Sequence, residues 1–264
     1  MSIGEAIPDR RIFRITGPDR EGFLQGLVSN DVRRLAAGPV YAALLTAQGK
    51  FLADFLLVPA GEAVLLDCHA SLAEGLVRRL SMYRLRADVA IAPTELQVAR
   101  GLGPAPADAV ADPRDPRLGW RRYAPEPGGP ATTDWDAIRV EACVPETGIE
   151  LIPDETYILE AGFERLQGVD FRKGCYVGQE VTARMKHKTE LRKGLVTVDV
   201  TGPATAPGTP ILMADGREAG TLYTRSGDRA IAHLRFDRAG GPLTAGDATV
   251  RASAPAPLPS PNAP

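Results

Sequence analysis

The sequence predicts an α+β protein that ends in a small, separate all-β domain. Two observations carry this. Up to about residue 190, segments with strand-like alternation exchange with segments whose apolar residues fall at helical spacing. After Lys193 only short strand-like runs remain, spaced by turn signals. At 264 residues, 44% hydrophobic and 24% charged, the chain is long enough to bury a substantial core in one large or two moderate domains.

In chain order, Arg11-Ile-Phe-Arg-Ile-Thr16 alternates as a half-buried strand does, and Gly17-Pro18-Asp19 then turns the chain. Pro18 opens a helix whose apolar stripe is Phe23, Leu24, Leu27 and Val28. Tyr41–Thr46 and Phe51–Val58 read as a hairpin joined by Ala-Gln-Gly49-Lys, and Ala63–Cys68 as a third strand. Ser71 is the expected cap of a helix in which Leu72, Leu76, Leu80 and Tyr83 share a face. Val89–Ala92 and Glu95–Ala99 are expected as further strands of the same sheet. Residues 101–130, rich in Gly, Pro, Ala and Asp, read as a long connection with one strand around Leu118–Tyr123.

Thr132-Thr-Asp134 starts a helix to about Cys143, with Trp135, Ile138 and Ala142 at core spacing, stopped by Pro145 and Gly148. Beyond it, runs at 194–200, 210–213, 218–224, 230–236 and 248–251, with an Asp215-Gly216 hairpin turn, predict a small barrel or sandwich. The expected division is therefore an α+β domain over 1–192, a β-barrel over 193–252, and a Pro-rich disordered tail over 253–264.

The net charge of −2 argues against a strongly acidic or basic partner surface. No run approaches the roughly 20 apolar residues of a membrane helix, and the N-terminal residues lack a signal-like apolar core, so a cytoplasmic protein with no membrane partner is expected. Three widely spaced cysteines and three histidines make neither a disulfide framework nor a self-contained metal site. There is no G-x-S-x-G elbow, no Walker A run and no G-x-G-x-x-G fingerprint, and no histidine is placed in a triad with Cys175.

Chemistry concentrates in Gly168–Lys188. Between Glu164 and Lys193 eight Lys/Arg stand against four Asp/Glu, a local +4 in a chain of −2. Cys175 follows Arg172-Lys173-Gly174, and cations beside a cysteine favour its thiolate, so an accessible, reactive thiol is favoured over a structural one. Arg184, Lys186, Lys188, Arg192 and Lys193 read either as a solvated face or as an anion site. Two carboxylates sit in apolar settings. Asp54, inside a strand, belongs either to the solvated face or to a ligand cavity; Glu160 needs either an Arg partner or a ligand's donors.

Lys173-Gly174-Cys175-Tyr176-Val177-Gly178-Gln179-Glu180 resembles the K-G-C-[FY]-x-G-Q-E signature of the YgfZ family, bacterial folate-binding proteins with a mitochondrial counterpart in iron–sulfur cluster assembly. Phe23-Leu-Gln-Gly-Leu27, Ser29-Asn-Asp-Val32, Gln48–Asp54, Glu160-Ala-Gly162 and Glu180–Arg184 extend the resemblance over roughly residues 10 to 250. It implies a glycine-cleavage T-protein-like fold, with ferredoxin-like subdomains around a central folate channel and a C-terminal β-barrel. It further implies tetrahydrofolate as cofactor, with Glu160 on the pterin ring and Asp54 in the strand that carries the T-protein's functional aspartate. Tyr176 and Gln179 are further candidate binding residues, and Arg184, which the resemblance does not assign, is a candidate for the glutamate tail of folate or for a macromolecular partner. Ala53-Asp54 stands where T-proteins tend to have two adjacent acids, which disfavours an aminomethyltransferase. The expected function is a monomeric, folate-binding accessory protein for iron–sulfur enzymes and, through them, tRNA modification. A folate-dependent one-carbon transferase and a direct tRNA-binding module are the alternatives.

Overall fold

The structure, a computed structural model, describes residues 3–188 and 191–252. The Pro-rich run from Ser253 lies outside the described residues. The chain divides into two compact units, Met1–Thr133 with Leu151–Thr189, and Asp134–Glu150 with Glu190–Pro264.

In the first unit β1 is Glu5–Ala6, β2 Arg10–Thr16, α1 Arg20–Gln25, β3 Val40–Leu45, β4 Phe51–Ala60 and β5 Ala63–His69. Then come α2 (Ala73–Arg84), β6 (Ala90–Pro93), β7 (Gln97–Gly101), β8 (Ala109–Ala111) and β9 (Trp120–Ala124). Helix α3 (Trp135–Ala142) belongs to the second unit, and α4 (Gln179–Lys188) returns to the first.

Two antiparallel sheets form in the first unit: β3-β4-β5-β2-β6 and β1-β7-β9-β8. Strand β4 is buried along nearly its whole length, so both faces of the larger sheet are covered. On one face Ala42, Leu44, Ala53, Phe55, Leu57 and Leu66 join Leu24, Leu76 and Leu80 of α1 and α2 in a continuous apolar core. The register sets Tyr41, Leu56, Asp67 and Ile12 side by side, and with a side-chain period of two, Asp54 and Arg10 fall on that same second face.

That face carries charge because β9 supplies the counterparts. Asp67 accepts from Arg10 Nε at 2.6 Å, Arg121 Nη1 at 3.1 Å and Tyr123 Oη at 2.9 Å. Arg121 Nε reaches Asp112 at 2.9 Å, and Arg114 grips the same carboxylate through two nitrogens. Burial alone would raise the Asp112 carboxyl; the Arg114 and Arg121 guanidiniums overcome it and hold it well below the usual range. Burial, then Asp67, push the Tyr123 phenol up, so it stays a donor.

Three sequence expectations change here. Glu95–Ala99 does not extend the first sheet: β7 lies between β1 and β9 in the second. The 101–130 connection holds two strands of that sheet, β8 and β9. Ser71 does not cap α2; the helix is entered through a 3-10 turn in which His69 Nδ1 accepts the Ser71 N–H at 3.2 Å, and Tyr83 is exposed.

The second unit contains β10 (Lys193–Thr201), β11 (Thr209–Met213), β12 (Glu218–Ser226), β13 (Arg229–Arg235), β14 (Leu243–Ala245) and β15 (Ala248–Ala252). They close as β10-β13-β12-β11-β14-β15, with β15 pairing back to β10, so a barrel and not a sandwich results. Val198, Ile211, Leu222, Ala232, Leu234 and Val250 fill its interior. A Cβ on Gly220 would lie 2.0 Å from His233 O, so no other residue fits there. Strand β14 has no counterpart in the sequence reading.

Helix α3 packs on β12 and β13, and Asp134 caps it by accepting the Ala137 N–H at 2.9 Å. Buried Arg139 donates to Thr224 Oγ1 at 2.9 Å and Glu150 Oε2 at 3.3 Å; Thr224 Oγ1 donates to Glu150 Oε1 at 2.5 Å. These bonds group 134–150 with the barrel, whereas the division at 192/193 kept it with the preceding domain. Among the described residues no helix is long and apolar enough to cross a membrane.

Candidate functional site

Asp54 lies in β4 at 5% exposure, which removes its solvated-face reading. Its Oδ2 accepts the Tyr41 hydroxyl at 3.0 Å, and the Tyr41 ring stacks on Phe163 at 4.8 Å between centroids. Phe163 closes the Leu159-Glu160-Ala161-Gly162 turn. That turn is tied back to the start of β4, where Phe51 N donates to Thr156 O at 2.9 Å and Lys50 Nζ sits 3.6 Å over the Tyr157 ring. Glu160 is half-buried and has interaction partners. The structure thus brings the Asp54 strand and the Glu160 turn together through Tyr41 and Phe163. Gly168 is required beside them, since a Cβ there would lie 2.5 Å from Phe163 and 2.8 Å from Tyr41.

Ser29 and Asn30 join this region to the Cys175 loop. Ser29 Oγ donates to Gly168 O at 2.6 Å and accepts from Ala43 N at 2.8 Å; Asn30 Nδ2 donates to Tyr41 O and Gln167 O. A cavity of about 290 Å³ opens here, lined by Tyr41, Asn30, Arg34, Pro39, Pro113 and Gln167 among others.

The signature residues take distinct places. Lys173 is buried, with Nζ on Gln25 O at 2.5 Å and Val28 O at 2.6 Å. The sequence placed this cation beside the thiol; the fold engages it with carbonyls at the end of α1. Burial pushes its ammonium down to about 8, with Asp31 and Asp170 acting against the shift. Gly174 adopts φ +96, and Cys175 is exposed. Tyr176 is buried and its phenol is raised by burial, while Thr182 bonds it. Gln179 Oε1 accepts the Tyr176 N–H at 3.2 Å at the start of α4, a role in closing the turn. Gly178, at φ +83, presses on the β3–β4 turn, where a Cβ would lie 2.4 Å from Thr46 O.

Glu180 and Arg184 are exposed on α4. Of the basic run, Lys186 pairs with Glu164 and lies over the Phe171 ring, so the local positive balance is partly internal. Among the described residues no group of three His, Cys, Asp or Glu could hold a metal ion. Sequence reasoning missed Tyr41 and the Arg10–Asp67–Arg121 cluster. Its signal was present: Asp67 stands in an apolar strand just as Asp54 does.

Comparisons with known proteins agree with this architecture. Residues 192–260 match the family described as "CAF17, C-terminal beta-barrel domain". The glycine cleavage system aminomethyltransferase T of Bartonella henselae superposes with a TM-score of 0.74 at 15% identity, covering 93% of this chain and 82% of that one. The fold is therefore T-protein-like, with a six-stranded C-terminal barrel. The mitochondrial iron–sulfur cluster assembly factor IBA57 of Mus musculus is 32% identical over 89% of this chain and 78% of its own length. The Homo sapiens IBA57 is 33% identical with the same coverage. With nearly the whole chain aligned at this identity, the protein belongs to the family of the iron–sulfur cluster assembly factor IBA57.

Proposed function

We propose that the protein is a tetrahydrofolate-binding accessory factor for the assembly or repair of iron–sulfur enzymes and, through them, for tRNA modification. The observation that carries the iron–sulfur part is the kinship over 89% of the chain with proteins named as iron–sulfur cluster assembly factors. The exposed Cys175 is the group that faces a partner or client.

The residues present suit one end of a folate. Tyr41 lines the cavity and neither carboxylate does: Asp54 is buried and reached through the Tyr41 hydroxyl, and Glu160 sits on the adjoining turn, so the pterin of this reading lies beside Tyr41. A carboxylate accepts paired hydrogen bonds from the amino and ring N–H edge of a pterin. At about 290 Å³ the cavity is at the lower limit of ligand pockets, which span roughly 300–1,000 Å³. A space of that size suits a ring system better than a whole folate. In this reading Glu160 and Asp54 orient the pterin, Tyr41 fixes the Asp54 carboxylate, and Arg34 meets negative charge at the rim. Tetrahydrofolate, when bound, would supply one nitrogen of its reduced ring and one just outside it that carry one-carbon units.

Titration of tetrahydrofolate into wild type, E160Q and D54N tests the cofactor reading; unchanged affinity in both variants overturns it. Complementation of a knockout with C175A tests the thiol, and full recovery of iron–sulfur enzyme activities overturns that role. Formation of methylene-tetrahydrofolate with release of ammonia from an aminomethyl donor would instead mark a transferase.

A further inference from the structure

The Cys175 loop is joined to α1 by bonds running in both directions. Lys173 Nζ donates to the carbonyls of Gln25 and Val28, at and just past the end of α1, where helical carbonyls lack partners and a cation is favoured. Gln25 Nε2 returns a hydrogen bond to Lys173 O at 3.2 Å and another to Asp31 Oδ1 at 3.0 Å, while its Oε1 accepts the Val32 N–H at 2.8 Å. Every polar atom of the Gln25 side chain is thus committed. Lys173 is only 6% exposed, so water is a poor substitute for these partners.

On the other side of the thiol the chain is fixed again. Tyr176 is buried, its N–H is held by Gln179, and Gly178 fits against the Thr46–Gly49 turn with no room for a Cβ. Cys175 therefore sits exposed between two anchored points a few residues apart, 150 residues from Gln25 in sequence but joined to it through Lys173.

We propose that Gln25 and Lys173 are positioning residues for Cys175, holding its thiol outward in one attitude for a partner's sulfur- or metal-bearing group. The inference rests on the reading of Cys175 as the working thiol. Neither residue touches the reacting group; both act through the loop backbone.

The test compares wild type, Q25A, K173M and K173R by alkylation of Cys175 with iodoacetamide, followed by mass spectrometry, and by amide hydrogen exchange. In Q25A exchange over 173–178 is expected to rise by about tenfold, the upper end of what losing one neutral hydrogen bond produces, and in K173M, which loses a charged donor, by at least that. The Cys175 alkylation rate is expected to change with it, and K173R to recover part of the protection. Q25A retains the carbonyl that Lys173 holds and serves where K173M fails to fold. Wild-type alkylation and exchange in Q25A overturn the proposal. A uniform rise in exchange throughout the first unit, with 173–178 not singled out, overturns it too, because that is loss of stability alone. If C175A fully complements while Q25A still loosens 173–178, the thiol's function fails and the positioning stands.

Discussion

Tyr41 and Asp54 stand on neighbouring strands with the phenol donating to the carboxylate at 3.0 Å, both side chains inside the fold. Tyr41→Phe keeps the ring stacked on Phe163 and removes one donor from a buried acid. A hydrogen bond to a charged group is worth about 1.5–3 kcal/mol, so urea denaturation should show a loss of that order. Tetrahydrofolate affinity should fall in the same variant, because the carboxylate loses the donor that Tyr41 supplies. Wild-type stability together with wild-type affinity would remove Tyr41 from the site.

The Arg121 guanidinium is shared between two buried aspartates. Arg121→Met leaves Asp67 with Arg10 and Tyr123, and Asp112 with Arg114, each short of one partner. Breaking a buried pair from one side costs about 3–5 kcal/mol. Chemical denaturation of the variant should show that loss, and a double replacement of Arg121 and Asp112 by apolar residues should cost less than the sum of the singles.

The three cysteines should label in order of access. Cys175 is exposed, Cys143 half-buried, and Cys68 lies in the apolar core, where burial pushes its thiol up to about 12. Maleimide or iodoacetamide at pH 8 should modify Cys175 first and leave Cys68 intact until the protein is unfolded. Early modification of Cys68 would contradict the packing of β5 beneath α2.

Lys173 gives a pH signature. Burial lowers its ammonium from 10.5 to about 8 in the folded protein, against the pull of Asp31 and Asp170 and with Arg33 adding to the shift. Between about pH 8 and 10.5 the unfolded chain holds a proton that the native state has released. Stability from this group therefore rises with pH across that window, and its cost is fully present below pH 8. Denaturation at pH 7.5 and 9.5 should show wild type gaining on K173M. A constant difference would mean that the ammonium is better solvated than its surroundings indicate.

Much of the fold is readable in the residues. The Tyr41–Val58 hairpin announces itself by alternation around a glycine turn, and the barrel strands by regular turn spacing. What local pattern does not encode is which sheet a strand joins. Strand β7 pairs with β1, only two residues long, and with β9 across a Gly- and Pro-rich stretch, so its membership is settled by distant partners. Strand β14 spans three residues, too few to show alternation. At the site, Cys175 and the two acids stand out by composition. Lys173 was legible as a cation but not as the partner of α1, because Gln25 and Val28 are about 145 residues earlier in the chain. Tyr41 carried no signal beyond a strand tyrosine.

The triangle of Arg139, Glu150 and Thr224 bears on how the chain assembles during synthesis. Helix α3 and Glu150 leave the ribosome well before β12, so the arginine and glutamate emerge with their threonine partner still untranslated. Residues 151–188, which belong to the first unit, are made in between. Neither unit is one unbroken stretch of chain, and the barrel unit is completed only when its last strands arrive. A fragment beginning at residue 193 would lack the helix its barrel is built against, and one beginning at Asp134 would also carry the first unit's Leu151, Ile158, Phe163 and Leu166, so expression of the second unit needs 134–150 joined to the barrel without the stretch between.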